Sequence, residues 1–399
     1  MNDATNDGAA ATDHDDRADG HTGRHDGVDT DAWREHAARM AAALSEQGRV
    51  RDPRWLRLLA EFPRQWFVPG VPLARVYTDA VVTQTRTADD GTGRELATSS
   101  LSAPAAVGVA LEALELQGGE RVLEIGTGTG YVAGLLSSRL GADRVASVDI
   151  DPDLVASARA RLGAVGLHPT LHAGDGHAGL AEHAPYDRIL ATCSITHVPP
   201  AWIHQLAMGG RIVAPLDGDL DSPVVVLDKT ADDEVVGRFL LDGGGFMPLR
   251  AIMESPLGAG DDRDATATRT VPSHSTSALD PARLATGNAP LALFCHLHLP
   301  GLHKLSRHDG ANQPAELILR HRESTATVAL APGDDGRWPV TQTGPRRIWD
   351  TIETAVALWD HLAEPAPTRF GISALDLPHR QYAWLDDPDG PYCWPLPTQ

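Results

Sequence analysis

Apolar residues recur at intervals of three and four from residue 31 onward, first as Trp33, Ala37, Met40, Ala41 and Leu44, then as Trp55, Leu58, Leu59 and Phe62. That spacing predicts two amphipathic helices. Between residues 104 and 250 the pattern changes, and short apolar runs alternate with helical ones. RVLEIG, RVASVDI, RILATC and RIVAPL read as buried strands; YVAGLLSSRL, PDLVASARARLGAVG and a stretch around WIHQLAM read as helices. Such alternation predicts an α/β fold, a doubly wound parallel sheet of Rossmann-like build, with its ligand beyond the carboxyl ends of the strands. PVVVLDK and EVVGRFLL, joined by a short polar turn, predict a closing antiparallel hairpin.

The flanks differ. Residues 1–30 hold Asp, Gly, Thr, Ala and His without apolar periodicity, and read as a disordered acidic tail in which His14, His21 and His25 are solvated. Residues 251–290, rich in Gly, Asp, Thr, Ser and Pro, read as a linker between a catalytic domain at 31–250 and a smaller α+β domain at 291–399. Within the latter, LALFCHLHL alternates as a strand, AELILRH and TATVALA read as further strands, and GPRRIWDTIETAVALWDHLAE places Trp349, Ile352, Val356, Trp359 and Leu362 on one helical face. Strand alternation puts Cys295 on the face opposite His296 and His298, so no metal site is expected there.

Composition narrows the function. The 34 Lys and Arg against 54 Asp and Glu give a formal charge of −20, whose mean field repels polyanions, so nucleic acid is not the expected partner. No apolar run is long enough to cross a bilayer, so no membrane partner is expected either. Cys193, Cys295 and Cys393 are odd in number and share no CxxC spacing, which suits a reducing compartment; with no cationic, apolar-cored start, a cytoplasmic location is the expectation.

The stretch VLEIGTGTGY carries the chemistry. Gly126, Gly128 and Gly130 give GxGxG followed by the bulky Tyr131, not the dinucleotide GxGxxG, so a nicotinamide cofactor is disfavoured. Glu124 sets a carboxylate beside the loop, which suits the cationic methionine end of S-adenosylmethionine. Asp149 ends the next strand, where a carboxylate can accept both ribose hydroxyls, and Asp175 in AGDG follows a third strand and can accept from the adenine amino group. Three acids at successive strand ends point to cofactor binding by Glu124, Gly126, Thr127, Gly128, Gly130, Tyr131, Asp149, Ile150, Asp175 and Gly176, with S-adenosyl-L-homocysteine as the product.

From about Asp52 to Arg250 the chain resembles the protein-L-isoaspartate O-methyltransferases. RDPRWLRLLAEFPRQWFVP looks like that family's entry helix, VYTDAVV its Tyr-x-Asp segment, SSLSAP its Thr-Ile-Ser-Gln-Pro segment, and AGDG, APYDRILATCS, GGRIVAPL and FMPL follow in order. The resemblance implies a Rossmann-like class I SAM-dependent methyltransferase. It also implies a reaction in which an ionised carboxylate of a peptide or protein bearing Asp or isoaspartate attacks a sulfonium methyl, so no general base is needed. It assigns Ser102 to the substrate carboxylate, where the residue-level alternative is a helix N-cap. Ser99, Ser100, Thr192 and His197 are further candidate substrate contacts; Cys193 reads as a packing residue.

The tail pattern RRIWDTIETA, RFGIS, YAWLDDPDGP is similar to extensions of relatives that accompany ATP-grasp ligases in graspetide biosynthesis, which implies esterification of an ordinary aspartate in a modified precursor peptide, then succinimide formation. On that reading residues 291–399 recognise substrate. The alternatives are a general isoaspartyl repair enzyme and a non-catalytic peptide-binding subunit.

Overall fold

The computed structural model describes residues 32–87, 93, 95–218, 222–250, 271–285, 289–310 and 312–397. The acidic tail with its three histidines and the linker as far as Thr270 lie outside the described residues.

The chain opens with α1 (Ala32–Glu46) and α2 (Pro53–Glu61), which bury the two apolar stripes. The Asp52 carboxylate caps α2 by accepting from the Arg54 N–H at 2.8 Å. A short α3 (Leu73–Val76) leads to an antiparallel hairpin of β1 (Val82–Thr87) and β2 (Glu95–Leu101), and α4 (Pro104–Ala113) follows. Then come β3 (Val122–Ile125), α5 (Tyr131–Leu140), β4 (Val145–Asp149), α6 (Pro152–Ala164), β5 (Thr170–Ala173), β6 (Tyr186–Ala191), α7 (Pro200–Gln205), β7 (Leu206–Pro215), and the hairpin of β8 (Val224–Ala231) with β9 (Glu234–Phe239). Leu206, Ala207 and Met208, read as helical from sequence, begin β7 instead. Their short apolar run carries no period that separates the two states.

Beyond residue 270 lie β10 (Ser273–Ser277), α8 (Ala282–Ala285), α9 (Ala289–His298), β11 (His303–His308), β12 (Pro314–His321), β13 (Ser324–Ala329), β14 (Trp338–Thr343), α10 (Ile348–His361), β15 (Phe370–Leu375), β16 (Gln381–Leu385) and β17 (Cys393–Pro395). Two expectations are corrected here. The described part of the supposed linker contains β10 and α8, which sequence masked behind Ser, Thr and Pro. LALFCHLHL is helix α9, not a strand: its residues from Leu291 to Leu297 are all buried, and a run apolar on every side hides its period. His298 on this helix is a packing residue, its Nε2 beside the Trp394 indole nitrogen at 3.3 Å. Among the described residues no group of three His, Cys, Asp or Glu could hold a metal, and no helix is long and apolar enough to cross a membrane.

The principal sheet has ten strands in the order β17-β16-β15-β9-β8-β7-β6-β3-β4-β5. β7, β6, β3, β4 and β5 run parallel; every pair from β7 to β17 is antiparallel. Five parallel strands with helices on both faces make a Rossmann-like doubly wound core, extended at one edge. Strand order reverses between β3 and β6, which opens a crevice at their carboxyl ends.

Alternation along the strands feeds two cores. Val122, Leu190 and Val213 face α1, α2, α4, α5 and α6; Leu123, Ile189, Ile212 and Val225 face α7, α9 and α10. A second sheet, β10-β14-β13-β12-β11, contributes Leu317, Leu319, Val328 and Val340 to that latter core, so α9 and α10 join the two sheets. Phe294 and Trp359 from these helices meet Phe370 of β15 at ring-centroid distances of 5.9 and 6.5 Å.

Candidate active site

The turn from β3 into α5 is shaped by backbone requirements that only glycine meets. Gly126 has φ +98°, and a Cβ there would lie 2.9 Å from Thr192 Oγ1 at the end of β6. Gly130 has φ +89°, and a Cβ there would press on Ala158 of α6 at 2.9 Å, so this glycine serves helix packing. The loop is tied to β4: the Gly126 and Thr127 N–H groups donate to the Val148 carbonyl, and the Gly128 N–H donates to Asp149 Oδ2 at 2.8 Å.

Beneath the loop runs a buried polar chain. Ser147 Oγ donates to Glu124 Oε2 at 2.6 Å and lies 2.6 Å from Thr127 Oγ1. Glu124 is fully buried, and its Oε1 has no partner among the described residues. Burial, with the Asp149 charge adding, pushes its carboxyl up to about 8. Burial also raises Asp149, although the Gly128 and Asp151 amides donate to it. A cleft that holds two carboxylates, one with an orphaned oxygen, fits a cationic ligand, and the folded-back glycine loop leaves room for it.

The cleft is lined by Ser99, Ser100, Ser102, Glu124, Gly126, Thr127, Gly128, Tyr131, Asp149, Ile150, Gly176 and Thr192 among the sequence-derived candidates. The hairpin strand β2 lies over the glycine turn, with the Ser100 carbonyl oxygen 3.7 Å from where a Gly128 Cβ would stand. Ser102 does not cap α4: the N-cap is Ala103, without a side-chain bond, and Asp79 accepts from the Ala105 N–H at 2.9 Å. Ser99 is turned into the hairpin, where its hydroxyl donates to Gln84 Oε1.

Three candidates lie apart from that lining. Gly130 packs helices. Asp175 accepts from the backbone N–H of His177 and contacts its ring nitrogen at 2.9 Å, so it caps a turn next to Gly176. His197 is buried with its ring 6.4 Å from that of His177, and burial, then His177, lowers its basicity. Cys193 lines the cleft, but burial and the nearby Asp149 and Glu124 charges push its thiol far up, so it stays protonated.

Sequence reasoning missed the residues that hold this site together. Arg64 is fully buried; it donates to the carbonyls of Val76 at 2.9 Å and Ser102 at 2.5 Å, and its guanidinium lies 4.9 Å from the centroid of the Tyr131 ring. Gln381 of β16 grips Val198, accepting from its N–H and donating to its carbonyl, both at 2.8 Å. Arg250 enters the cleft, where its Nη2 donates to the Thr98 carbonyl at 3.0 Å. Only its place directly after FMPL set it apart in the sequence.

The chain matches the model of the family described as protein-L-isoaspartate(D-aspartate) O-methyltransferase over residues 35–250. It is 44% identical over 197 residues to the protein-L-isoaspartate O-methyltransferase of Anaeromyxobacter dehalogenans (strain 2CP-C), covering 48% of this chain and 87% of that protein. It is 35% identical over 213 residues to the enzyme of that name from Aeropyrum pernix, covering 53% and 78%. A solved protein-L-isoaspartate O-methyltransferase aligns over 86% of this chain and 96% of its own, with 23% identity and a TM-score of 0.49. The chain belongs to the protein-L-isoaspartate(D-aspartate) O-methyltransferase family, and is an S-adenosylmethionine-dependent enzyme of (iso)aspartyl O-methyl transfer.

Proposed function

We propose that this enzyme methyl-esterifies an aspartate side chain in a ribosomally made peptide already cyclised by an ATP-grasp ligase, a graspetide precursor, and that it does so in the cytoplasm. The ester is then attacked by the backbone nitrogen of the next residue, methanol leaves, and a succinimide forms that persists or opens to isoaspartate. The observation that carries this reading is how deeply the extension is built into the catalytic body. β15, β16 and β17 continue its sheet, and Gln381 holds the loop that follows β6 at the carboxyl edge. Added surface joined to the site in this way suits recognition of a folded peptide by residues 291–399, whereas repair of scattered damage calls for promiscuity.

In this reading Glu124 is the counter-charge for the methionine end of the cofactor, Asp149 accepts from the ribose hydroxyls, and the turn Gly126–Gly128 lies against the bound molecule. Bound there, S-adenosylmethionine supplies an electrophilic methyl group to a carboxylate oxygen and leaves as S-adenosyl-L-homocysteine. An aspartate is ionised at neutral pH, with an ordinary pKa of ~3.9, so this chain's side chains align and desolvate rather than move a proton. Ser102 donates its hydroxyl to one carboxylate oxygen and leaves the other free to react. Arg64, through the Ser102 carbonyl, fixes the backbone that carries that hydroxyl.

A second reading, repair of isoaspartyl residues, is favoured by the names of the relatives at 44% and 35% identity. Mass spectrometry separates the two. A cyclised, Asp-bearing peptide that gains a methyl group and then shows net loss of one water, with simple isoaspartyl peptides poor substrates, supports the biosynthetic role; the reverse preference overturns it.

A further inference from the structure

Arg250 is the single cationic side chain among the described residues lining the cleft, where its charge acts on Asp149. Both oxygens of the Asp149 carboxylate accept from backbone amides, those of Gly128 and Asp151, and no hydrogen bond joins Asp149 to Arg250, so the guanidinium keeps donors for an anion brought into the cleft. The side chain is half-buried and its base is anchored on two sides. The Leu249 N–H donates to the Ser194 carbonyl at 2.8 Å and the Ser194 N–H to the Met247 carbonyl at 2.9 Å, which straps residues 247–249 to the loop after β6. On the other side Nη2 reaches the Thr98 carbonyl of β2. That bond uses one donor of a planar fork whose geometry matches a carboxylate.

Its position separates it from the reacting group. Thr98 is the extra residue at an irregularity in β2 and Ser102 follows the strand's end, so the two are at most about 13 Å apart at ~3.3 Å per residue. That separation suits two carboxylates of one extended peptide, roughly two to four residues apart.

We propose that Arg250 is a specificity residue that binds a second carboxylate of the peptide, an acidic side chain two to four residues from the aspartate that is methylated. The inference rests on the proposed reaction in taking Ser102 as the acceptor's place. The preferred substrate is then an acidic peptide segment, which the net charge of −20 would otherwise repel, and Arg250 offsets that repulsion locally.

The test uses the full chain loaded with S-adenosyl-L-homocysteine. The probes are short peptides with one Asp and a single Glu moved from four residues before it to four after, each with its Gln counterpart. Calorimetry should show Glu favoured over Gln by about tenfold at one or two positions, and Arg250→Gln should erase that preference while product-cofactor affinity stays within about twofold. Arg250→Lys, which keeps the charge and loses the fork, should retain part of it and serves should the first variant fold poorly. Equal binding of Glu and Gln peptides at every position, or a preference that survives Arg250→Gln, overturns the proposal. So does an Arg250→Gln protein whose only change is in cofactor affinity, in either direction, since Arg250 then serves Asp149 or the carboxylate at the cofactor's methionine end. Binding is read apart from turnover: acid preference without methyl transfer sinks the proposed reaction alone, and methyl transfer without acid preference sinks this inference alone.

Discussion

Glu124 stands at the end of β3 with no solvent, one serine donor and a second carboxylate nearby, so at neutral pH it holds a proton. A cationic ligand binds its ionised form and must displace that proton. Cofactor affinity should therefore climb by about tenfold per pH unit toward about pH 8 and level off above it, with proton release that calorimetry detects as a buffer-dependent heat. In the ligand-free protein the sign is opposite. The folded chain retains a proton that the unfolded chain loses in the ordinary glutamate range, so stability declines as pH rises from that range through about 8. Glu124→Gln should weaken binding and flatten its pH dependence; a native protein whose affinity ignores pH would remove Glu124 from the site. At this scale the sequence was informative where backbone geometry dictates a residue type, as at Gly126, and where an acid ends a strand, as Glu124 and Asp149 do beside the cleft. It was silent on Arg64, because a guanidinium that serves carbonyls of Val76 and Ser102 leaves no mark on spacing.

Among elements, the loop from β6 to α7 shows how a distant strand shapes the cleft. Gln381 lies on β16, yet its amide mimics a backbone pair for Val198 and also donates to the Leu375 carbonyl at 3.1 Å. Gln381→Leu would leave the buried N–H and carbonyl of Val198 without partners, at about 1 to 3 kcal/mol each. A loss of roughly 2 to 6 kcal/mol in denaturant unfolding, with faster amide exchange over residues 194–198, is the expected outcome. Unchanged exchange there would mean that the loop holds itself. Periodicity made α1, α2, α6 and α10 readable, since each buries one stripe and exposes the rest. It failed for α9, whose neighbours cover it from all sides.

For the whole molecule, the boundary near residue 250 is a change of sequence pattern, not of packing. The core on one face of the ten-stranded sheet runs without interruption from Leu123 and Ile212 through Phe294 and Trp359 to Leu319. A chain ending at residue 250 would bare the β9 edge, which β15 covers, and uncover Val225, Leu227 and Val235. Such a truncation should accumulate as aggregate or lack a cooperative thermal transition. A soluble, cooperatively melting fragment would show instead that the extension is an accessory.

What the sequence determined by itself is local: buried strands, striped helices, the glycine turn and the acids at strand ends, because each answers to neighbours a few residues away. Tertiary structure alone decided that RFGIS and QYAWL join the catalytic sheet, that Asp79 rather than Ser102 serves the start of α4, and that Arg250 and Gln381 reach the cleft and its rim. Apart from the local pairing of QYAWL with RFGIS, those contacts span from 26 to 183 positions of the chain, and hydrogen bonds closed over such lengths are selected by the packed core, which no window of sequence contains.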